Sequence, residues 1–188
     1  SAEPTRAARC CSRLMGNSVP RIAVDAMGGD LGPSVVVPGA VQAAREAGLA
    51  LSLVGREDEV RAELARLDVS GLDVAVVHAP DVAGMDEKPS DILRRKKDSS
   101  MQVAFRLVRE GRAHGVITAG NSGAALACGM FILGRINGVD RPALASIMPT
   151  LKRPIVLIDV GANADCKPYN LVQFGLMAEV LARSVLDI

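Results

Sequence analysis

Three short segments of this sequence bring together residue types that handle anions. In RIAVDAMGGDLGP a β-branched run ends at Asp25 and meets Gly28, Gly29 and Gly32, which let backbone amides turn closely around a bound group. In GVITAGNSGAALA the residues Gly120, Asn121, Ser122 and Gly123 lead from an extended run into a helical pattern. Free amides and the positive end of a helix dipole would there face an anion, and phosphate is the natural guest. In IVLIDVGANADCKP the residues Asp159, Asn163, Asp165 and Lys167 gather just beyond a wholly apolar run, in the kind of loop that carries function. Gly and Asn are also ordinary turn residues, so one such loop alone says little. All three follow candidate strands, and open α/β sheets bind ligands at the carboxyl ends of their strands. The three loops are therefore expected to share one sheet edge.

A fourth segment, MDEKPSDILRRKKDSSM (Met85 to Met101), concentrates Lys88, Arg94, Arg95, Lys96 and Lys97 in a chain with 22 basic and 21 acidic residues. Asp86, Glu87, Asp91 and Asp98 interleave with them, which leaves two readings open: a solvated run neutralised locally, or a binding patch. No cofactor is expected, because no loop is the dinucleotide fingerprint GxGxxG or the Walker GxxxxGK[ST]. No metal is expected either. Cys10, Cys11, Cys128 and Cys166 form no CxxC pair, and the two histidines, His78 and His114, lie far apart. Both read as structural, and Cys128, inside AALACGMFIL, reads as core.

The elements that must position these loops follow from periodicity. Candidate strands are Ile22 to Asp25, Leu51 to Val54, Val74 to His78, Gly115 to Thr118, Ala143 to Met148 and Ile155 to Val160. Between them lie helical patterns near Ser34 to Ala47, Glu57 to Leu67, Ser99 to Glu110, Ser122 to Arg135 and Asn170 to Leu186. In the second, Val60, Leu64 and Leu67 share one face while Arg61, Glu63 and Arg66 face solvent. The alternation predicts an α/β fold with a doubly wound, mostly parallel sheet. Residues 1–19, which carry no apolar period, are expected to be a flexible tail with Met15 as a natural start, and residues 20–188 a single α/β portion.

Composition narrows the function classes. A length of 188 residues with 49% hydrophobic and 23% charged residues is that of a globular chain. A net charge of +1, three Phe, one Tyr and no Trp offer neither a field for a polyanion nor a stacking platform for bases, so no nucleic-acid partner is expected. The longest nearly uncharged apolar stretch, Ala124 to Leu133, is far short of the roughly 20 residues of a membrane span. The cysteine usage points to a reduced, cytoplasmic setting.

Read as ordered motifs, VDAMGGD with the following GP, MDEKPSD, RRKKDSSM, AGNSGA, LGRINGVDRPALA and DVGANADCKP with a downstream QF resemble the phosphate acyltransferase family of bacterial phospholipid synthesis, the PlsX family. The match runs from Arg21 to about Met177. The resemblance implies a fold similar to isopropylmalate dehydrogenases and phosphotransacetylases, and transfer of a fatty acyl group from acyl carrier protein to inorganic phosphate. It also implies a homodimer with a peripheral membrane contact, and a family length about twice the matched region, so that the chain reads as the N-terminal part.

Phosphate is already a nucleophile at neutral pH, so positioning and oxyanion stabilisation are what such an enzyme must supply. On that footing Gly28, Gly29, Asn121, Ser122 and Gly123 are expected to hold phosphate, with Lys88, Arg95 or Lys97 adding positive charge. Lys167 and Asn163 would polarise the thioester oxygen, while Asp25 or Asp165 orients these groups or takes the last phosphate proton. Cys166 is a further acyl-nucleophile candidate. Two more expectations attach to this reading: the helix after the phosphate loop lines either an acyl channel or the core, and Arg94 to Lys97 steer the acidic carrier. The rival readings are a non-catalytic half that binds phosphate or a partner, and an NAD-dependent decarboxylating dehydrogenase, whose glycine fingerprint is absent.

Overall fold

The computed structural model describes residues 19–186, with side chains to Ser184; the expected N-terminal tail up to residue 18, with Cys10, Cys11 and Met15, lies outside the described residues. The chain divides after Gly134 into two compact units. In the first, β1 (Arg21–Asp25), β2 (Ala50–Gly55), β3 (Val74–His78) and β4 (Gly115–Ile117) form a four-stranded sheet in the order β3-β2-β1-β4. Every pairing is parallel. β2, ALSLVG, is buried along its whole length, as a run without polar alternation requires in a sheet covered on both faces.

Side-chain alternation along the strands feeds two cores. Val24, Leu51 and Leu53 pack with Val37, Ala44 and Val60 from α1 (Pro33–Ala47) and α2 (Glu57–Leu64). Ala23 and Val54 pack with Ala104 and Leu107 from α4 (Ser100–Arg109). Helices thus cover both faces, which is the doubly wound arrangement. Pro33 opens α1 and Gly48, with φ of 65°, closes it by returning its amide to the Ala44 carbonyl. A third cluster joins Ile92 of α3 (Pro89–Arg95), Met101 and Phe105 of α4, and Ala124 and Cys128 of α5 (Ser122–Cys128).

Two expectations are corrected. α3 occupies part of the basic run, which carried no helix in the sequence reading; its seven residues bury one side chain, Ile92, too little to make a period. The pattern from Ser122 gives α5 only to Cys128, after which Gly129–Leu133 widens into a π turn.

The second unit holds β5 (Ala145–Met148), β6 (Ile155–Ile158) and α6 (Pro168–Leu181), which runs on as a π turn over Ala182–Leu186. β5 and β6 pair antiparallel, Ala145 opposite Ile158 and Met148 opposite Ile155. They form a two-stranded sheet of their own. Their connection, residues 149–154, is a hairpin-length link, whereas a parallel crossover takes a dozen residues or more. β6 is therefore not a strand of the four-stranded sheet, and the three loops do not all follow strands of one sheet as expected.

Candidate functional site

The first two loops do share an edge. β1 and β4 are adjacent and parallel, with Val24 opposite Ile117, so their carboxyl ends emerge side by side and Asp25 meets Thr118. Asp25 is only 1% exposed. Its Oδ2 accepts the Thr118 hydroxyl at 2.8 Å, and Thr118 Oγ1 in turn accepts the Gly120 amide at 3.0 Å. Asp25 Oδ1 is buried with no partner among the described residues. The two glycine turns interlock over this relay: a Cβ on Gly28 would lie 2.9 Å from Asp25 Oδ2 and 2.9 Å from the Gly120 nitrogen. Gly29 has φ of 82° and passes against Ala119.

Asn121 caps α5, its Oδ1 accepting the Ala124 amide at 3.0 Å. Its Nδ2 donates to the carbonyls of Met85 at 2.8 Å and Glu87 at 3.0 Å, with a longer 3.4 Å contact to Gly84. The side chain is thus committed to clamping the segment before α3, and what faces outward at this loop is backbone together with the exposed Ser122 and Gly123. A Cβ on Gly123 would touch Pro89 Cγ at 2.9 Å, which places the start of α3 directly against the phosphate-loop candidate.

The basic run resolves into bound and unbound cations. Lys96, half-buried, donates to the Val82 carbonyl at 2.8 Å and pairs with Glu87. That Lys96 bond, against an opposing burial effect, holds the Glu87 carboxyl below its ordinary range. Arg106 takes Asp98 at 3.0 Å and the Lys97 carbonyl. Arg95 is separated from Asp91 by 3.9 Å, a surface pair of little worth. Lys88, Arg94 and Lys97 are exposed and make no ion pair among the described residues.

In the second unit Asp159 organises the third loop. Its Oδ1 accepts the Leu144 amide at 2.8 Å; its Oδ2 accepts the Asn163 amide at 2.7 Å and the Asn163 side-chain Nδ2 at 3.0 Å. Asn163 Nδ2 also reaches the Pro142 carbonyl at 3.0 Å. Asp165, Cys166 and Lys167 are exposed. Lys167 is the N-cap position of α6, its amide donating to Asn170 Oδ1 at 3.0 Å. The sequence reading missed Asp140, which accepts from Tyr169 at 2.7 Å and from the buried Asn170 at 3.1 Å. A Tyr and an Asn in one turn after Lys167-Pro168 were the only available signal.

Burial would raise the Asp159 carboxyl, but the Leu144 amide and both Asn163 donors outweigh it and hold the group below its ordinary value. The Tyr169 hydroxyl and Asn170 do the same for Asp140. A carboxyl lowered in the folded state contributes stability that is complete above the unfolded value and is lost as pH falls through the lowered folded value. Acid is therefore expected to loosen the second unit below the ordinary aspartate range, and Asp159→Asn should flatten that pH dependence; a denaturation series at pH 2–6 reads both.

Other candidates take quiet roles. Burial first, and the Asp25 charge second, push the Cys128 thiol up to about 11, so it is a core residue and no nucleophile. His114 Nδ1 accepts the Arg21 amide at 3.0 Å and His78 Nδ1 the Glu57 amide at 3.4 Å. Among the described residues no group of His, Cys, Asp and Glu could hold a metal ion, and no helix is long and apolar enough to cross a membrane.

A family model described as fatty acid synthesis protein matches residues 20–188. A phosphate acyltransferase of Oleidesulfovibrio alaskensis is 70% identical over 174 residues, 93% of this chain and 50% of that protein. One of Lawsonia intracellularis is 63% identical, over 89% of this chain and 48% of its own length. One of Geobacter sulfurreducens is 56% identical, over 89% of this chain and 49% of its own length. The chain spans about half the length of the curated relatives it matches. The crystal structure of a phosphotransacetylase from Streptococcus pyogenes matches with a TM-score of 0.70 at 19% identity, covering 96% of this chain and 58% of that one. That likeness is one of fold.

Proposed function

The chain belongs to the fatty acid synthesis protein family, and from that premise we propose that it serves the transfer of a fatty acyl group from acyl carrier protein to inorganic phosphate, giving acyl phosphate for phospholipid synthesis. The observation that carries this reading is the interlocked pair of glycine turns over the buried Asp25–Thr118 relay. Phosphate would be held by the amides of Gly29, Ser122 and Gly123, with Gly28, whose own amide closes on the Asp25 carbonyl at 3.3 Å, shaping the turn and Lys88, Arg95 or Lys97 supplying charge. Asn121, bonded on both sides, shapes that loop through its backbone. Asp25, buried behind Thr118, orients the turn.

In the transfer a phosphate oxygen forms a bond to the thioester carbonyl carbon, the C–S bond breaks, and the proton given up by hydrogen phosphate ends on the departing thiol. In this reading the third loop offers the exposed Lys167 to the thioester oxygen and Asp165 as the carboxylate that takes the proton, while Asn163, its Nδ2 given to Asp159 and Pro142, shapes that loop. Cys166 is not needed, since phosphate attacks directly. A homodimer and a peripheral membrane contact in the cytoplasm belong to the same reading.

The test incubates the folded chain with acyl carrier protein thioester and phosphate and traps acyl phosphate with hydroxylamine, omitting phosphate as the control. Phosphate-dependent hydroxamate is the expected product. A second reading is favoured by the coverage of about half of each relative: a half-protein that binds phosphate but is not catalytic alone. Phosphate binding by ³¹P NMR without hydroxamate would establish it in place of the first.

A further inference from the structure

We propose that the cleft between α3 and α5 is the docking groove for an acidic, amphipathic helix on a partner protein. The cleft has a volume of about 580 Å³ and is walled by Pro89, Leu93, Ala127, Phe131 and Ile132, with Arg94 on its rim. Of its polar members, Gln102 is committed to backbone, donating to the Ile92 carbonyl at 2.9 Å and the Lys96 carbonyl at 3.0 Å, while Ser90 and Arg94 are exposed. Phe131 is 70% exposed. A large aromatic left in water beside a concave apolar floor marks an interaction surface.

Charge selects the occupant. Of the cations around α3, Lys96 is spent on Glu87, and Arg95 faces Asp91 at 3.9 Å. Arg106 neutralises Asp98. What remains is Lys88 before Pro89, Arg94 on the rim and Lys97 after the helix, three exposed cations without an ion pair among the described residues, against Asp86, the exposed acid of the segment that also has none. A helix that offers one or two apolar anchors flanked by Asp and Glu fits both features. A bilayer is flat and would call for several protruding apolar side chains, whereas Leu93, Ala127 and Ile132 line a recess and only Phe131 among the apolar lining residues is exposed. Pro89 lines the groove and its Cγ would lie 2.9 Å from a Cβ on Gly123, so a docked partner would sit near the phosphate-loop candidate. The proposal rests on the acyl-transfer reading for one point, that the partner is the acidic carrier of the acyl donor.

The experiment measures binding of fluorescein-labelled acyl carrier protein, holo form without an acyl group, to the chain and to Arg94→Glu and Phe131→Ser, each shown to be folded by its thermal melt. Lys152→Glu, the same charge change at an exposed residue of the second unit, is the control. Each groove variant is expected to weaken binding about tenfold or more, and the control less than twofold, with the wild-type affinity falling steeply from 50 to 300 mM salt. Unchanged affinity in both groove variants, or no carrier binding by the wild type, overturns the groove. So does a loss confined to binding of phosphatidylglycerol vesicles. Carrier docking that depends on the groove with no hydroxamate formed would instead overturn the acyl-transfer reading and leave the groove standing.

Discussion

Gly28→Ala is expected to destabilise the first unit by about 2 kcal/mol, a fall in Tm of about 4–8 °C, and to abolish phosphate binding. The added methyl would lie 2.9 Å from Asp25 Oδ2, 2.9 Å from the Gly120 nitrogen and 3.1 Å from Thr118 Oγ1. None of these can swing aside. The amide is backbone, and the carboxylate and hydroxyl are fixed by their mutual bond of 2.8 Å behind a side chain that is 1% exposed. Relief must come from parting the β1 and β4 loops, which opens the turn proposed to hold phosphate. The φ of Gly28 does not lie in the left-handed region, so the objection is space alone. Gly39→Ala is the counterpart: it lies in α1 with nothing within 4 Å of the added Cβ, and is expected to stabilise by about 0.5–1 kcal/mol. Thermal melts of the two variants should move in opposite directions. A Gly28→Ala protein that melts with the wild type and binds phosphate would mean that the two loops do not interlock.

How much of this arrangement was legible depends on the range of the interaction that decides each part. β3 was readable to the residue as Val74–His78, because turn residues bound it on both sides. The stripe Val60, Leu64, Leu67 was readable although α2 ends at Leu64, since Arg66 and Leu67 continue as tight turns on the carbonyls of Glu63 and Leu64 and keep the face. The shared edge of the first two loops followed from placing both strands in one parallel sheet, while the adjacency of β1 and β4 comes from the observed strand order. The strand before the third loop was assigned to the wrong sheet because an apolar run such as IVLI does not state its partner, and only the short link 149–154 points to β6 folding back on β5. Thr118 escaped notice for a related reason: its role comes from a register that sets it opposite Asp25, 93 residues away. In the basic run Lys96 was read with its neighbours as one patch, although it is the residue that is pinned, because pairing with Glu87 is a tertiary outcome. Alternating charges cannot show which of them remain unpaired.

Asn121 separates what a single side chain does at this site, and two substitutions should take its jobs apart. Asn121→Ala removes the cap on α5 and the donors to Met85 and Glu87 together, at an expected cost of about 2–3 kcal/mol from one lost cap and two lost hydrogen bonds. Asn121→Asp keeps an acceptor for the Ala124 amide and suits the positive end of the helix. It cannot donate, and it sets a carboxylate oxygen against two carbonyls that now lie 2.8 and 3.0 Å from Nδ2. The α5 amides should therefore exchange hydrogen at the wild-type rate in Asn121→Asp and faster in Asn121→Ala, while residues 84–95 exchange faster in both. Phosphate affinity should fall in both variants, and further in Asn121→Asp, where a negative charge is added beside the amides of Ser122 and Gly123. Wild-type exchange over residues 84–95 in Asn121→Asp would show that the cap alone matters. In that case the segment before α3 is held in place by Glu87 and Lys96, independently of the phosphate-loop candidate.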